Sequence, residues 1–136
     1  MESLEQRVKR HEGFRAHPYL CTQNALTVGW GRNLTANGIT KDEAVFMLQN
    51  DLARCERDYF RLLKKVRKNC NEARREVLIE MIFQLGYMGV LGFKNMLGAI
   101  AANDFERASK EMLNSRWHNQ TTERCLELSE VMKHGK

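Results

Sequence analysis

Residues 11–34 read "HEGFRAHPYLCTQNALTVGWGRNL", the stretch of the chain in which hydrophobic periodicity is two instead of three to four. Leu26, Val28 and Trp30 alternate with Thr27, Gly29 and Gly31, which is the period of a strand. The spacing predicts a hairpin after Pro18, with Tyr19 to Cys21 as its first arm and Thr22-Gln23-Asn24-Ala25 as its turn. On either side the spacing is helical. The contrast predicts an α+β, mostly α architecture: a small N-terminal β-hairpin lobe, joined by a long helix to a helical C-terminal lobe.

Upstream, Ser3 with Gln6 three residues on makes a capping-box pattern, and Leu4 and Val8 supply one apolar face. A first helix is expected to run to about His11, with Glu12 at its C-terminal end. Downstream, Asn33 to Gly38 has loop composition, and Thr40 with Glu43 opens a second capping box. Ala44, Leu48, Leu52, Cys55, Tyr59, Leu62 and Val66 then recur at three and four. They predict a helix over 41–66 that is about 40 Å long at ~1.5 Å per residue. Asn71 is the expected N-cap of a third, most buried helix, whose periodic Ala73, Val77, Leu78, Met81, Ile82 and Leu85 end at Gly86. Shorter helices are expected from Phe93 to Ala102, from Asp104 to Asn114, and from Thr122 to Lys133 with Gly135 beyond. The expected organisation is one domain over 1–136: a hairpin lobe at about 13–40, a linking helix at 41–66, and a helical lobe at 67–136 that takes in the first helix, 3–11.

With 136 residues, 43% of them hydrophobic and 29% charged, the chain can bury a core without a disulfide scaffold. Its most apolar uncharged stretch, Met81 to Phe93, is too short to cross a bilayer, so no stable membrane insertion is expected. The opening "MESLEQRVKRHEG" has no basic n-region followed by an apolar run, and the expected starting compartment is the cytoplasm. Cysteines at 21, 55, 70 and 125 form no C-x-x-C pair; thiols without a zinc site are expected, and no metal or cofactor. Two N-x-T triplets, at 33–35 and 119–121, have no route to glycosylation without a signal peptide. The net charge of +5 lies entirely in residues 53–136 and favours a polyanionic partner.

Glu12, Cys21 and Thr27 are the candidate chemical groups of the strand-like stretch. A carboxylate at a helix C-terminus faces the negative end of the dipole, which helps it keep a proton, as a general acid must. Cys21 and Thr27 lie across the expected hairpin and can face one cleft. Taken by residue type alone, each has a bland reading too: a solvated surface Glu, a buried inert Cys, and a Thr present for its β-branch.

The three together make E-x8-C-x5-T inside "HEGF…LTVGWGRNL", which resembles the phage-type lysozymes of the T-even lineage, glycoside hydrolase family 24. "ITKDEA" at 39–44 is similar to the opening of that family's inter-lobe helix, "RREVLIEMIFQLGYMGVLGF" at 74–93 to its central C-terminal helix, and "SRWHNQT" at 115–121 to its cleft loop. The chain is short for the family between Arg32 and Ile39 and at its C-terminus. The resemblance therefore implies a lysozyme-like fold with a reduced small lobe, little more than a hairpin, and a more open cleft.

The resemblance implies cleavage of the β-1,4 bond between N-acetylmuramic acid and N-acetylglucosamine in peptidoglycan glycan strands. Glu12 would be the general acid, Cys21 would position or deprotonate the attacking water, and Thr27 would hold that water, giving inversion. Cysteine replaces the family's more usual aspartate; a thiol of pKa ~8.5 implies activity that rises with mild alkalinity and falls with oxidants. Substrate contacts are implied for Asn33, Phe83, Gln84, Trp117, Asn119, Gln120 and Arg124; Arg124 would face and hold Glu12, and Trp117 reads equally as core. Arg32 stands where the T-even type has histidine, and a structural Arg32–Asp51 ion pair is expected. By family analogy the enzyme is a monomer that waits in the host cytoplasm, is released by a holin, and acts on the wall in the periplasm, with no nucleic-acid partner. Two alternatives stand beside it: a lytic transglycosylase, since Glu12 is the constellation's only acid, and a basic module binding glycan or nucleic acid through the run "RLLKKVRKNC".

Overall fold

The structure, a computed structural model, describes residues 1–67 and 70–136. Helix α1 spans Leu4–Glu12. It opens on the capping box: the Ser3 hydroxyl accepts from the Gln6 amide at 3.1 Å, while Gln6 Oε1 accepts from the Ser3 amide at 2.8 Å. Lys9, Arg10 and His11 lie in its last turn, where positive charge suits the carbonyl end of the dipole, and Gly13 at φ 69° stops it.

Three antiparallel strands follow in the order β1-β2-β3: β1 Arg15–Leu20, β2 Leu26–Gly29 and β3 Arg32–Asn33. The first arm therefore starts at Arg15, not at Tyr19. Its pairing passes from Arg15↔Gly29 to Tyr19↔Thr27, so β1 carries extra residues there. Pro18 sits in that irregular stretch of an edge strand, where the ladder does not call on its missing N–H. The turn closes through Cys21 N–H to the Ala25 carbonyl at 3.0 Å and Asn24 N–H to the Cys21 carbonyl at 2.9 Å, with Asn24 at φ 60°. The expected loop over 33–38 is instead the end of β3 and a one-turn helix, α2 Leu34–Asn37, whose N-cap Asn33 accepts from the Ala36 amide at 2.9 Å.

Helix α3 spans Lys41–Val66, the range its periodicity predicts. Thr40 and Glu43 cap it reciprocally at 3.1 and 2.8 Å, and Arg67 at φ 56° ends it with its N–H on the Leu63 carbonyl. Helix α4 spans Glu72–Leu91 and is broken at Gly86 (φ 80°, ψ 162°), so the expected stop at Gly86 is a kink after which the helix resumes. Then come α5 Lys94–Ala101, α6 Phe105–Leu113 under its Asp104 cap, α7 Arg116–Gln120 under its Ser115 cap, and α8 Thr122–His134 closed by Gly135 in the left-handed region. No single described helix is long and apolar enough to cross a membrane.

The chain divides into two compact units, Met1–Met47 and Leu48–Lys136. Helix α1 groups with the sheet instead of with the helical unit: Lys9 Nζ lies 4.8 Å over the Trp30 ring. The core of the second unit is built on Val77, Leu78, Met81 and Ile82, one face of α4, with Tyr59 and Leu62 of α3, Met96 and Ile100 of α5, Met112 of α6 and Met132 of α8, all 2% exposed or less. Each such side chain contributes about 1.5–3 kcal/mol of burial. Arg74 ties the start of α4 to the end of α8 by donating to the Met132 and Lys133 carbonyls at 2.7 and 3.1 Å, which satisfies two groups that a helix end leaves open.

Candidate active site

Glu12 is the last residue of α1, and its carboxylate lies against the turn between β2 and β3. At Gly31 in that turn, φ is +80°, and a Cβ there would meet Glu12 Oε2 at 2.8 Å and Cδ at 3.0 Å. The backbone conformation favours glycine, and the carboxylate occupies the space a side chain would take. Trp30, half exposed beside it, packs on Phe14 with ring centroids 5.0 Å apart.

Cys21 and Thr27 come together across the β1–β2 hairpin. Thr27 is 4% exposed, and its backbone pairs with Tyr19 on one side and Asn33 on the other. The Cys21 thiol is half-buried and is held below its ordinary pKa, first by the Ala25 backbone amide and then by the Gln23 amide; desolvation opposes them, and the Thr27 hydroxyl adds a smaller lowering. In the resting geometry Thr27 Oγ1 donates to the Ala25 carbonyl at 2.9 Å. Its single proton serves either that carbonyl or the sulfur, so it is available to a thiolate when one forms. Asn33 stands on the strand next to Thr27, but its side-chain oxygen is occupied by the α2 cap.

Arg32 has a different partner from the one expected. It forks onto Glu43, Nη1 to Oε1 at 2.9 Å and Nη2 to Oε2 at 2.6 Å, and also donates to the Gly38 carbonyl at 3.0 Å. Asp51 pairs instead with Arg54 at 3.2 Å on its own helix. Glu43 wins because it stands in the first turn of α3, about 12 Å of helix before Asp51 at ~1.5 Å per residue, already oriented by the Thr40 amide. The guanidinium pair, with the Thr40 amide, lowers the Glu43 carboxyl to about 2.

In the second unit the expected contact residues separate into two kinds. Trp117 is 2% exposed: its Nε1 donates to Gln84 Oε1 at 2.9 Å, and its ring meets Phe93 edge-on at 6.1 Å. Gln84 also donates to Thr121 Oγ1 at 3.3 Å. Trp117 is thus a core anchor, and Gln84 the polar partner that its indole N–H demands. Phe83, Asn119 and Gln120 are exposed. Arg124, expected to hold Glu12, gives its Nε to Glu80 at 2.8 Å. Phe83, Glu80 and Arg124 border a hollow of about 690 Å³, with Leu52 and Ile79 on its apolar side. Gly31, Glu80 and Thr121 carry no mark of a site residue in the sequence; Gly31 reads there only as one position of the strand period after Trp30.

Among the described residues no group of three or more His, Cys, Asp or Glu side chains is placed to hold a metal ion. The phage lysozyme family model matches residues 9–130. The pre-baseplate central spike protein of Enterobacteria phage T4 is 30% identical over 160 residues, covering 98% of this chain, which in turn spans only 28% of the spike protein. Two probable T4-type lysozymes of Dictyostelium discoideum, 1 and 2, are 26% and 25% identical, each covering 99% of this chain and matched over 96% of their own length. The chain therefore belongs to the phage lysozyme family and is a lysozyme-type enzyme.

Proposed function

We propose that this enzyme is an endolysin-type muramidase that hydrolyses the β-1,4 bond between N-acetylmuramic acid and N-acetylglucosamine of bacterial peptidoglycan. The observation that carries the reading is the pairing of Cys21 with Thr27 across the hairpin, the thiol held low by two backbone amides, in one unit with a Glu12 carboxylate seated on Gly31. Glu12 gives its proton to the glycosidic oxygen as the bond to the sugar lengthens. Cys21 takes or orients the proton of the attacking water, and the Thr27 hydroxyl supports it, so the water oxygen becomes the anomeric hydroxyl with inversion. The binding of glycan through Phe83, Asn119 and Gln120 belongs to the same proposal and is supported by their exposure. Host lysis after holin-dependent release to the periplasm, by a monomer, is the physiological role that fits this chemistry.

Muropeptide mass spectrometry on purified sacculi tests it, with Glu12→Gln as control. Reducing-end products that vanish in the variant are expected. A second reading, lytic transglycosylation, is favoured by one observation, that Glu12 is the sole carboxylate of the triad; 1,6-anhydro products would establish it and overturn the hydrolase. No release by a folded wild type would leave only a basic glycan-binding module.

A further inference from the structure

Helix α3 carries a feature that the proposed chemistry does not use. Arg54, Arg57, Arg61, Lys64 and Lys65 fall within an arc of about 100° of its circumference at 3.6 residues per turn, on the face away from the buried Cys55, Tyr59 and Leu62. Two of the five are neutralised along the helix, Arg54 by Asp51 at 3.2 Å and Arg61 by Asp58 at 2.9 Å. Arg57, Lys64 and Lys65 are exposed and have no ion-pair partner among the described residues. An ordinary solvated helix face interleaves signs so that neighbours three and four apart cancel. Here three like charges are kept within about 12 Å of helix, about one and a half Debye lengths at physiological salt, each within a Debye length of another basic side chain of the stripe, so a polymer passing over them meets a row of positive charge.

We infer that this stripe is a holding surface for the polymer on which the enzyme acts, engaging the free carboxylates of peptidoglycan stem peptides. The identity of the polymer rests on the proposed muramidase reading. The stripe's preference for an extended polyanion rests on its own geometry: exposed basic side chains in a row along one helix face, offering several contacts that individually are weak but act together. None of the three cations packs in the core or belongs to the reacting set, so their loss leaves fold and chemistry in place.

The test is co-sedimentation with purified sacculi stripped of phosphate polymers, across a salt series. Glu12→Gln is compared with the same protein carrying Arg57→Gln, Lys64→Gln and Lys65→Gln. The expected result is binding at least about 10-fold weaker at low salt, and a log-affinity against log-salt slope shallower by roughly two, approaching one unit per lost contact. On glycan strands freed of stem peptides by an amidase, the two proteins should bind alike, and their thermal unfolding should coincide. Unchanged affinity and slope on sacculi overturn the inference, as does an equal loss on peptide-free strands. A difference that appears only on walls retaining phosphate polymers overturns it as well, reassigning the surface to phosphate. Because binding is read in a Glu12→Gln background, no cleavage is needed. A wild type that releases no muropeptides yet shows the charge-dependent binding refutes the muramidase reading and leaves the surface standing.

Discussion

Replacing Gly31 with alanine should disable the enzyme by moving one carboxylate. The new methyl would stand 2.8 Å from Glu12 Oε2, 3.0 Å from Cδ and 3.3 Å from Cγ, inside normal contact distance, so the carboxyl end must retreat by about half an ångström or more. The carboxyl is the far end of a flexible, exposed side chain, and the retreat itself costs little stability. The backbone term is separate: a non-glycine residue at φ +80° costs about 1–2 kcal/mol. A matched control isolates it. Gly29, at the other side of the same turn, has φ +70° and nothing within 4 Å of its would-be Cβ, so Gly29→Ala carries the backbone cost without touching Glu12. Both variants should lose a few degrees of Tm, at about 4 °C per kcal/mol. Only Gly31→Ala should lose kcat on sacculi, by about 10-fold or more, since an ångström of misplacement in a reacting group costs about 100-fold. Equal kcat in the two alanine variants, measured well below their melting temperatures, would refute the claim that Gly31 seats the acid.

The Cys21 thiol should react with iodoacetamide along a pH curve whose midpoint lies below that of an ordinary thiol at ~8.5, and Thr27→Val, which removes a donor to the thiolate, should move that midpoint upward; an unshifted wild-type curve would count against the amide cradle. Cys21→Asp should stay active with its basic limb displaced to lower pH, and total inactivity of a folded variant would end the water-activating role. Arg32→Met should lower Tm at neutral pH, while Asp51→Asn should change it little. Glu43 has a folded pKa of about 2, below its unfolded value, so its contribution is full above an unfolded pKa of ~4.3 and is lost as pH falls toward 2; the Tm gap between wild type and Arg32→Met should close across that window. In denaturant unfolding, Trp117→Phe should cost about 1–3 kcal/mol because Gln84 Oε1 loses its buried donor, and a neutral result would place the tryptophan outside the core.

The elements most legible from sequence are those whose causes lie within one turn of chain. The capping boxes at Ser3–Gln6 and Thr40–Glu43, and the caps at Asn71 and Asp104, form as their spacing predicts, because donor and acceptor are three residues apart wherever the rest of the chain goes. The apolar repeat of Cys55, Tyr59 and Leu62 likewise becomes the buried face of α3. Helices α2 and α7 were hidden because four or five residues are too few to display a period. The early start of β1 was hidden because Pro18 reads as a breaker until the irregular pairing around it is seen.

For the candidate site, the order and identity of Glu12, Cys21 and Thr27 are properties of the chain, and so is the change from helical to strand period that sets two of them on a hairpin. What tertiary structure alone decided is which groups meet. Arg32 finds Glu43 and not Asp51, Arg124 finds Glu80, Trp117 turns inward onto Gln84, and the Glu12 carboxylate takes the space that Gly31 leaves empty. Local rules cannot rank such pairings, since several partners of the right charge lie along the chain, all of them beyond the one-turn spacing at which sequence separation fixes a contact. The choice falls to distances of a few ångströms, set by how the turns and helices pack, and over those distances both hydrogen bonds and close contacts change from favourable to absent.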